Sequence, residues 1–411
     1  MTDETVRPGP ALRRTLTLPW LVFYGVGVTI GAGIFALIGE ILALAGDNAP
    51  LSFLLAGLIA GATGLSYALL VRVFPRAGGE AVFVNRGLGH FWGRLAGYGV
   101  AATGIISSAV IALAFAGYVR ALLPATDALL VVGVVCVLAA IAWFGVRESI
   151  FVAALITLLE VGTLVVVIVF GAPLLADIPR VAATFAPPAE PALLAGIVSG
   201  GVIAFFAFIG FEDIENMAEE TVNPEHTAPK AIFWTLGVTV AIYVLLSVIA
   251  ALAPDRGAIT GSSAPLAVLF EQMTGLPGEP VAAMAAVAMI NGILVQIVMA
   301  SRVLYGMAQE GIAPAWFGRI NEVRRTPGRA TFTVAALILA LALFFPLVRL
   351  AEATSLVTLG VFAMVNLSLF TLGSRAEHPA LRRWRWFGLA GMAICVAVAG
   401  FQIFAGVAGG H

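Results

Sequence analysis

Two stretches of this sequence keep residues that a purely apolar segment has no use for. The first, GVGVTIGAGIF from Gly25 to Phe35, sets Gly25, Gly27, Gly31 and Gly33 in a long apolar run, with the tight Gly31-Ala32-Gly33 step near its middle. Glycine lets the backbone leave helical φ/ψ and lets a ligand approach with no Cβ in the way. The second, AFFAFIGFEDIENMAEE from Ala204 to Glu220, begins as apolar helix and then brings in Gly210, Glu212, Asp213 and Glu215. Three acids over four residues cannot face lipid, so they must face a cavity, a helix break or the mouth of the protein. A third chemical group is Glu160, alone in LITLLEVGTLV. An ionisable group in mid-span is a functional candidate by default.

Breaking a helix inside a bilayer is costly, because an unpaired backbone N–H or C=O in lipid loses several kcal/mol. The break has a use when a ligand takes the freed groups. The positive end of one half-helix attracts a carboxylate, and freed carbonyls of another accept from an ammonium. A zwitterion matches that pair. Small-residue packing between helices is the other reading of Gly31 and Gly33. The matching interruption at Ile209 to Phe211, about five spans further on, argues for two inverted repeats with a site between them.

The elements that would hold these groups are transmembrane helices. Of 411 residues, 61% are hydrophobic and 11% charged, and mean hydropathy is +1.03. Globular domains carry about 25% charged residues. About eleven segments are long enough to cross a bilayer, with approximate limits 19–44, 50–73, 91–122, 127–145, 150–173, 195–219, 230–253, 280–308, 330–348, 352–374 and 384–408. The chain is expected to divide into a cytoplasmic tail (1–18), a transporter core (19–374, with repeats over roughly 19–173 and 195–374) and an extra helix with a short C-terminal end (375–411). Arg7, Arg13 and Arg14 precede an apolar run too long for a signal peptide, so the first span is expected to be retained.

Of the 22 Lys and Arg residues, Arg120, Arg180, Arg256 and Arg349 fall in alternate loops opposite the other eighteen. The positive side is the cytoplasmic one, so the N-terminus is expected inside, in a multi-pass plasma (inner) membrane protein. Net charge is −1, which gives no support for nucleic-acid binding. Cys136 and Cys395 both lie in apolar runs and form no CxxC motif. His90, His226, His378 and His411 are scattered, and no HExxH, GxSxG or P-loop spacing appears, so enzyme, metal and nucleotide chemistry have no sequence support. Residues 76–90 and 255–279 are long enough for short helices at the two faces. Ser107, Ser108, Asn291, Gln296 and Asn366 are read chiefly as interhelical hydrogen bonders.

The residues that break the pattern also carry a resemblance. GVGVTIGAGIF, PRAGGEAVFVNRGLG (75–89), FFAFIGFEDIENMAEETVNPEHTAPKAI (205–232) and ASRVLYGMAQEGIAPAWFGRINEVRRTP (300–327) resemble, in order, motifs of the amino acid/polyamine/organocation superfamily, and within it the amino acid permeases. The resemblance implies an all-α membrane protein of the LeuT-type fold, with five-plus-five inverted repeats and spans one and six interrupted. It implies secondary active transport of amino acids by alternating access, with substrate carboxylate at the backbone of Thr29, Ile30, Gly31, Ala32 and Gly33. Substrate amine would meet Ala207, Phe208, Ile209 and Gly210, under an aromatic gate at Phe206 or Phe208.

The family commonly has twelve spans, against eleven read here. Many relatives carry a Lys in the fifth span where Glu160 aligns, so Glu160 is expected either to bind and release a coupling proton or to be a structural hydrogen-bond donor. Glu212 stands where arginine/agmatine antiporters also have an acid; with Asp213 it would sense protons, attract a cationic amine or solvate the vestibule. No cofactor is expected. The coupling ion is expected to be a proton, with sodium the alternative. The partners expected are a small amino acid or amine, the lipid bilayer and, in a homodimer, a second copy. The competing functions are cationic amino acid or polyamine exchange, and a nutrient receptor or assembly partner that binds without turnover.

Overall fold

The computed structural model describes residues 14–75, 79–145, 150–309, 311–320 and 326–408. Arg76, at the head of the 76–90 loop, falls outside them. Among the described residues the chain is all-helical, with one isolated bridge between Leu16 and Thr221. Apolar runs in this sequence can satisfy their backbone groups in lipid only by helix formation, since no partner strand accompanies them.

The helices are α1 (Leu18–Thr29), α2 (Ala32–Ala45), α3 (Ala49–Val73), α4 (Gly79–Leu88), α5 (His90–Arg120), α6 (Asp127–Phe144), α7 (Ile150–Gly171), α8 (Ile178–Thr184) and α9 (Pro191–Phe206). After a 3₁₀ segment, Phe211–Glu220, come α10 (Pro224–Ala251), α11 (Arg256–Thr260), α12 (Pro265–Thr274), α13 (Glu279–Gln309), α14 (Gly328–Phe344), α15 (Leu347–Gly373), α16 (Pro379–Arg382) and α17 (Arg385–Ala408). Nine stretches among the described residues are long and apolar enough to cross a membrane, and α1 and α14 are shorter apolar helices.

The segment limits differ from the sequence expectation where proline sets the end. Pro346 stands between α14 and α15, so the ninth segment stops at Phe344 and the tenth starts at Leu347. A proline cannot donate its N–H and clashes with the preceding turn, which makes it a helix starter. The expected short helices at the two faces are present as α4 and as the pair α11 and α12.

At the core, α3 lies along α9 and α10, and α5 lies along α13 and α15. The α17 helix docks on α15 and α3. A Cβ on Gly391 would stand 2.5 Å from the Asn366 side chain. Asn366 accepts from Ser66 at 2.6 Å and donates to Thr63 at 2.9 Å, the interhelical role read from its sequence setting. Cys395 of α17 is buried beside that network, whereas Cys136 on α6 is exposed.

At one end of the bundle, α11 and α12 close over α2 and α5. Tyr118 donates to the carbonyl of Phe35 at 2.9 Å and accepts from the amide of Leu266, while Arg256 pairs with Asp47. At the other end, the residues before α1 are tied to those after the 3₁₀ segment. The amides of Thr15 and Leu16 donate to the Glu220 carbonyl at 2.8 and 3.0 Å, and Val222 donates to the Leu16 carbonyl at 2.9 Å.

Candidate substrate site

Both expected interruptions occur. Helix α1 ends at Thr29, Ile30 has φ −80° and ψ 59°, Gly31 is extended, and α2 starts at Ala32. The second helix, α9, ends at Phe206, and its last turn is closed by amides of Ala207, Phe208 and Ile209 bonding back to the carbonyls of residues 204–206. Gly210 then takes φ +124° and the chain continues as a 3₁₀ segment. That conformation is open to glycine and strained for L side chains.

The interruptions lie against each other. A Cβ on Gly33 would come within 2.7 Å of Ala207 Cα and 3.3 Å of a Phe206 ring carbon. A Cβ on Gly210 would meet the Val28 carbonyl oxygen at 2.8 Å. Gly33 and Gly210 are therefore small because backbone passes backbone at these points. The first-turn amides of α2 have no partner within their own helix, which leaves a positive helix end beside the second interruption.

One residue that sequence reading missed joins the two. Tyr243 of α10 is buried, and its hydroxyl lies 3.2 Å from the Thr29 carbonyl and 2.9 Å from the Ala207 carbonyl. One phenol proton thus serves a carbonyl freed by each interruption. A tyrosine in an apolar helix gives no signal of this in sequence. Tyr243→Phe is expected to leave both carbonyls unpaired at a cost of about 1–3 kcal/mol. The expected readout is a lower melting temperature of the purified protein with a severalfold fall in uptake; an unchanged pair of values would remove this role.

Phe208 is fully buried, its ring edge-on to Tyr243 at 5.2 Å and reaching toward Gly57 of α3. Phe206 faces Gly33 instead. The structure thus brings Thr29, Ile30, Gly31, Ala32, Gly33, Ala207, Ile209 and Gly210 into one small region and turns the two phenylalanines to different neighbours. The Thr29 hydroxyl is spent inside α1, donating to the Gly25 carbonyl at 2.7 Å.

Glu212 and Glu215 are buried and Asp213 is half-buried. Glu212 accepts from the Gly210 amide at 2.8 Å, so its carboxylate holds the turn. Asp213 is half-buried and accepts from Asn216 at 3.3 Å. Glu215 is 1% exposed. Glu160 is 4% exposed on α7, one turn beyond Thr157, whose side chain fills the space a Cβ on Gly27 would take. Of the other polar candidates, Ser107 and Ser108 both donate to the Gly104 carbonyl within α5.

Comparison with known proteins agrees with this architecture. The family described as Amino acid permease matches residues 15–410. An uncharacterized transporter of Mycobacterium tuberculosis is 33% identical over 402 residues, covering 94% of this chain and 86% of its own. The branched-chain amino acid permease BcaP of Lactococcus lactis is 28% identical, covering 88% of this chain and 82% of its own. The cationic amino acid transporter 3, mitochondrial, of Arabidopsis thaliana is 28% identical, covering 89% and 63%. With the apolar helices, this makes the protein an integral, multi-pass membrane protein. The chain belongs to the amino acid permeases of the amino acid/polyamine/organocation superfamily.

Proposed function

We propose that this protein is a proton-coupled importer or exchanger of neutral amino acids, working by alternating access around the joined interruptions of α1/α2 and α9/3₁₀. The observation that carries the reading is the apposition of the α2 N-terminus, which starts at Ala32, with the turn at Ala207, where a Cβ on Gly33 would stand 2.7 Å from Ala207 Cα. Those groups suit a carboxylate and an ammonium on one small molecule. In this reading α1 with α2 counts as one span, and eleven spans form a LeuT-type fold with repeats over about 19–173 and 195–374. The N-terminus faces the cytoplasm of a plasma (inner) membrane, and the protein works as a monomer or homodimer.

Neutral substrates are favoured over cationic ones because Glu212 and Asp213 already accept hydrogen bonds from Gly210 and Asn216. Their charge is turned inward. The relatives named for branched-chain and for cationic amino acids keep both classes in play as substrates. Purified protein in liposomes, given labelled leucine or alanine with and without an inward proton gradient, is expected to accumulate substrate only with the gradient. Unlabelled leucine should compete and arginine or putrescine should not. Competition by arginine or putrescine alone would replace this reading with cationic exchange. Binding with no flux at all would replace it with a non-transporting receptor.

A further inference from the structure

Glu215 is the most anomalous side chain in the molecule. Both of its carboxyl oxygens are buried without a hydrogen-bond partner. The other carboxyls on these elements are Glu212 and Asp213 in the same 3₁₀ segment and Glu80 in the first turn of α4. The first residue of α4 closes on it: a Cβ on Gly79 would stand 3.3 Å from Glu215 Oε1. Glu80, the next residue, is also buried and accepts from the Tyr67 hydroxyl at 3.2 Å. A buried carboxylate with no partner is tolerated only when it is neutralised. Two facing carboxylates in a dry site cannot both stay ionised. Among the described residues no group of three or more His, Cys, Asp or Glu is arranged to hold a metal ion.

Among the described residues, the charged groups on the surrounding elements do not pair with Glu215. Helix α1 carries none within Leu18–Thr29, and Tyr24 is its nearest titratable group. On α3, Arg72 is exposed, and Tyr67 is spent on Glu80. On α4, Arg86 is exposed, and on α10 the exposed Glu225, His226 and Lys230 all lie in the opening turns. Within the 3₁₀ segment itself there is no basic residue.

We propose that Glu215, packed against Gly79 at the start of α4, is a proton-binding site at which α4 and the 3₁₀ segment are held together. With the proton on Glu215 the contact is neutral and closed. When the proton leaves its carboxyl oxygen for water at that end of the bundle, the electron pair stays on the oxygen, the anion is left unpaired beside the first turn of α4, which carries Glu80, and the two elements part. Burial, opposed in part by the hydrogen bond from Tyr67, keeps the Glu80 carboxyl above the usual carboxylate range. Raising the pH therefore adds negative charge on both sides of the contact. The site is separate from Glu160 on α7. Its link to a transport cycle rests on the function proposed above, but the proton site itself does not.

The test uses the full-length protein in lipid, with Cys136→Ala to remove the exposed thiol and spin labels at Arg86→Cys and Val222→Cys. The distance between the labels is read by double electron–electron resonance, with no substrate present, so it is independent of any failure of uptake. A single short distance is expected at acid pH, with a longer population appearing as the pH rises. Glu215→Gln should lose the longer population at every pH, Glu80→Gln should suppress it as well, and Glu215→Asp should retain it. The glutamine at position 80 also serves if the change at 215 prevents folding. A pH response in Glu215→Gln equal to that of the parent overturns the proposal. So does a parent that does not respond to pH, or one that responds to sodium against choline at fixed pH.

Discussion

Gly210→Ala should slow uptake in liposomes severely while the protein still inserts and purifies as a stable species. At this position φ is +124°, and the added methyl would stand 2.8 Å from the Val28 carbonyl. A non-glycine residue in such a region costs on the order of 1–3 kcal/mol, and the clash with fixed backbone adds to it. A tenfold change corresponds to about 1.4 kcal/mol, so a loss of roughly tenfold to a hundredfold in initial rate is expected. Gly33→Ala should act in the same direction through Ala207. The control is Gly360→Ala on α15, where an added Cβ meets nothing within 4 Å. If Gly210→Ala transports at the parent rate, the two interruptions do not form the working site.

Glu160→Gln is expected to remove the dependence of accumulation on the proton gradient and to spare exchange of labelled for unlabelled substrate. Glu160 is almost fully buried on the helix that packs against α1, just beyond the Gly27–Thr157 contact. A carboxyl there can take up and release a proton close to the first interruption, while an amide of nearly the same shape cannot. Gradient-driven accumulation should fall about tenfold or more, to the level seen without a gradient, as expected for the loss of an intramembrane ionisable group. Exchange measured with no gradient separates this from simple damage. Full proton-driven accumulation by the variant would assign Glu160 a structural role.

Much of the architecture could be read from residue order because a bilayer leaves few choices. Long apolar runs must become helices, and glycine-rich steps inside them are where helices end. Gly31 and Gly210 marked the interruptions to within a residue or two. Legibility failed where a position is defined by what it meets across the bundle. Nothing about Tyr243 in its own helix says that it spans two carbonyls contributed by residues 29 and 207. Glu215 reads in sequence as one of three acids facing a cavity, a helix break or the mouth, and only the packing of α4 against it reveals an oxygen pair with no partner. The 3₁₀ geometry of Phe211–Glu220 also escaped notice, since the hydropathy of that stretch fits an ordinary helix end. Hydrophobic periodicity carries no information about which backbone groups a bend will release.

The main-chain bridge between Thr15–Leu16 and Glu220–Val222 has an evolutionary corollary. Pairing through amides and carbonyls is blind to side-chain identity, so the exposed positions Thr15 and Val222 should vary between homologues, while Leu16, which packs on the core, stays apolar. The exception is imino acid substitution: proline at 15, 16 or 222 deletes a donor. A saturation library across these sites, sorted for folded protein in the membrane, should therefore be depleted of that one residue above all others.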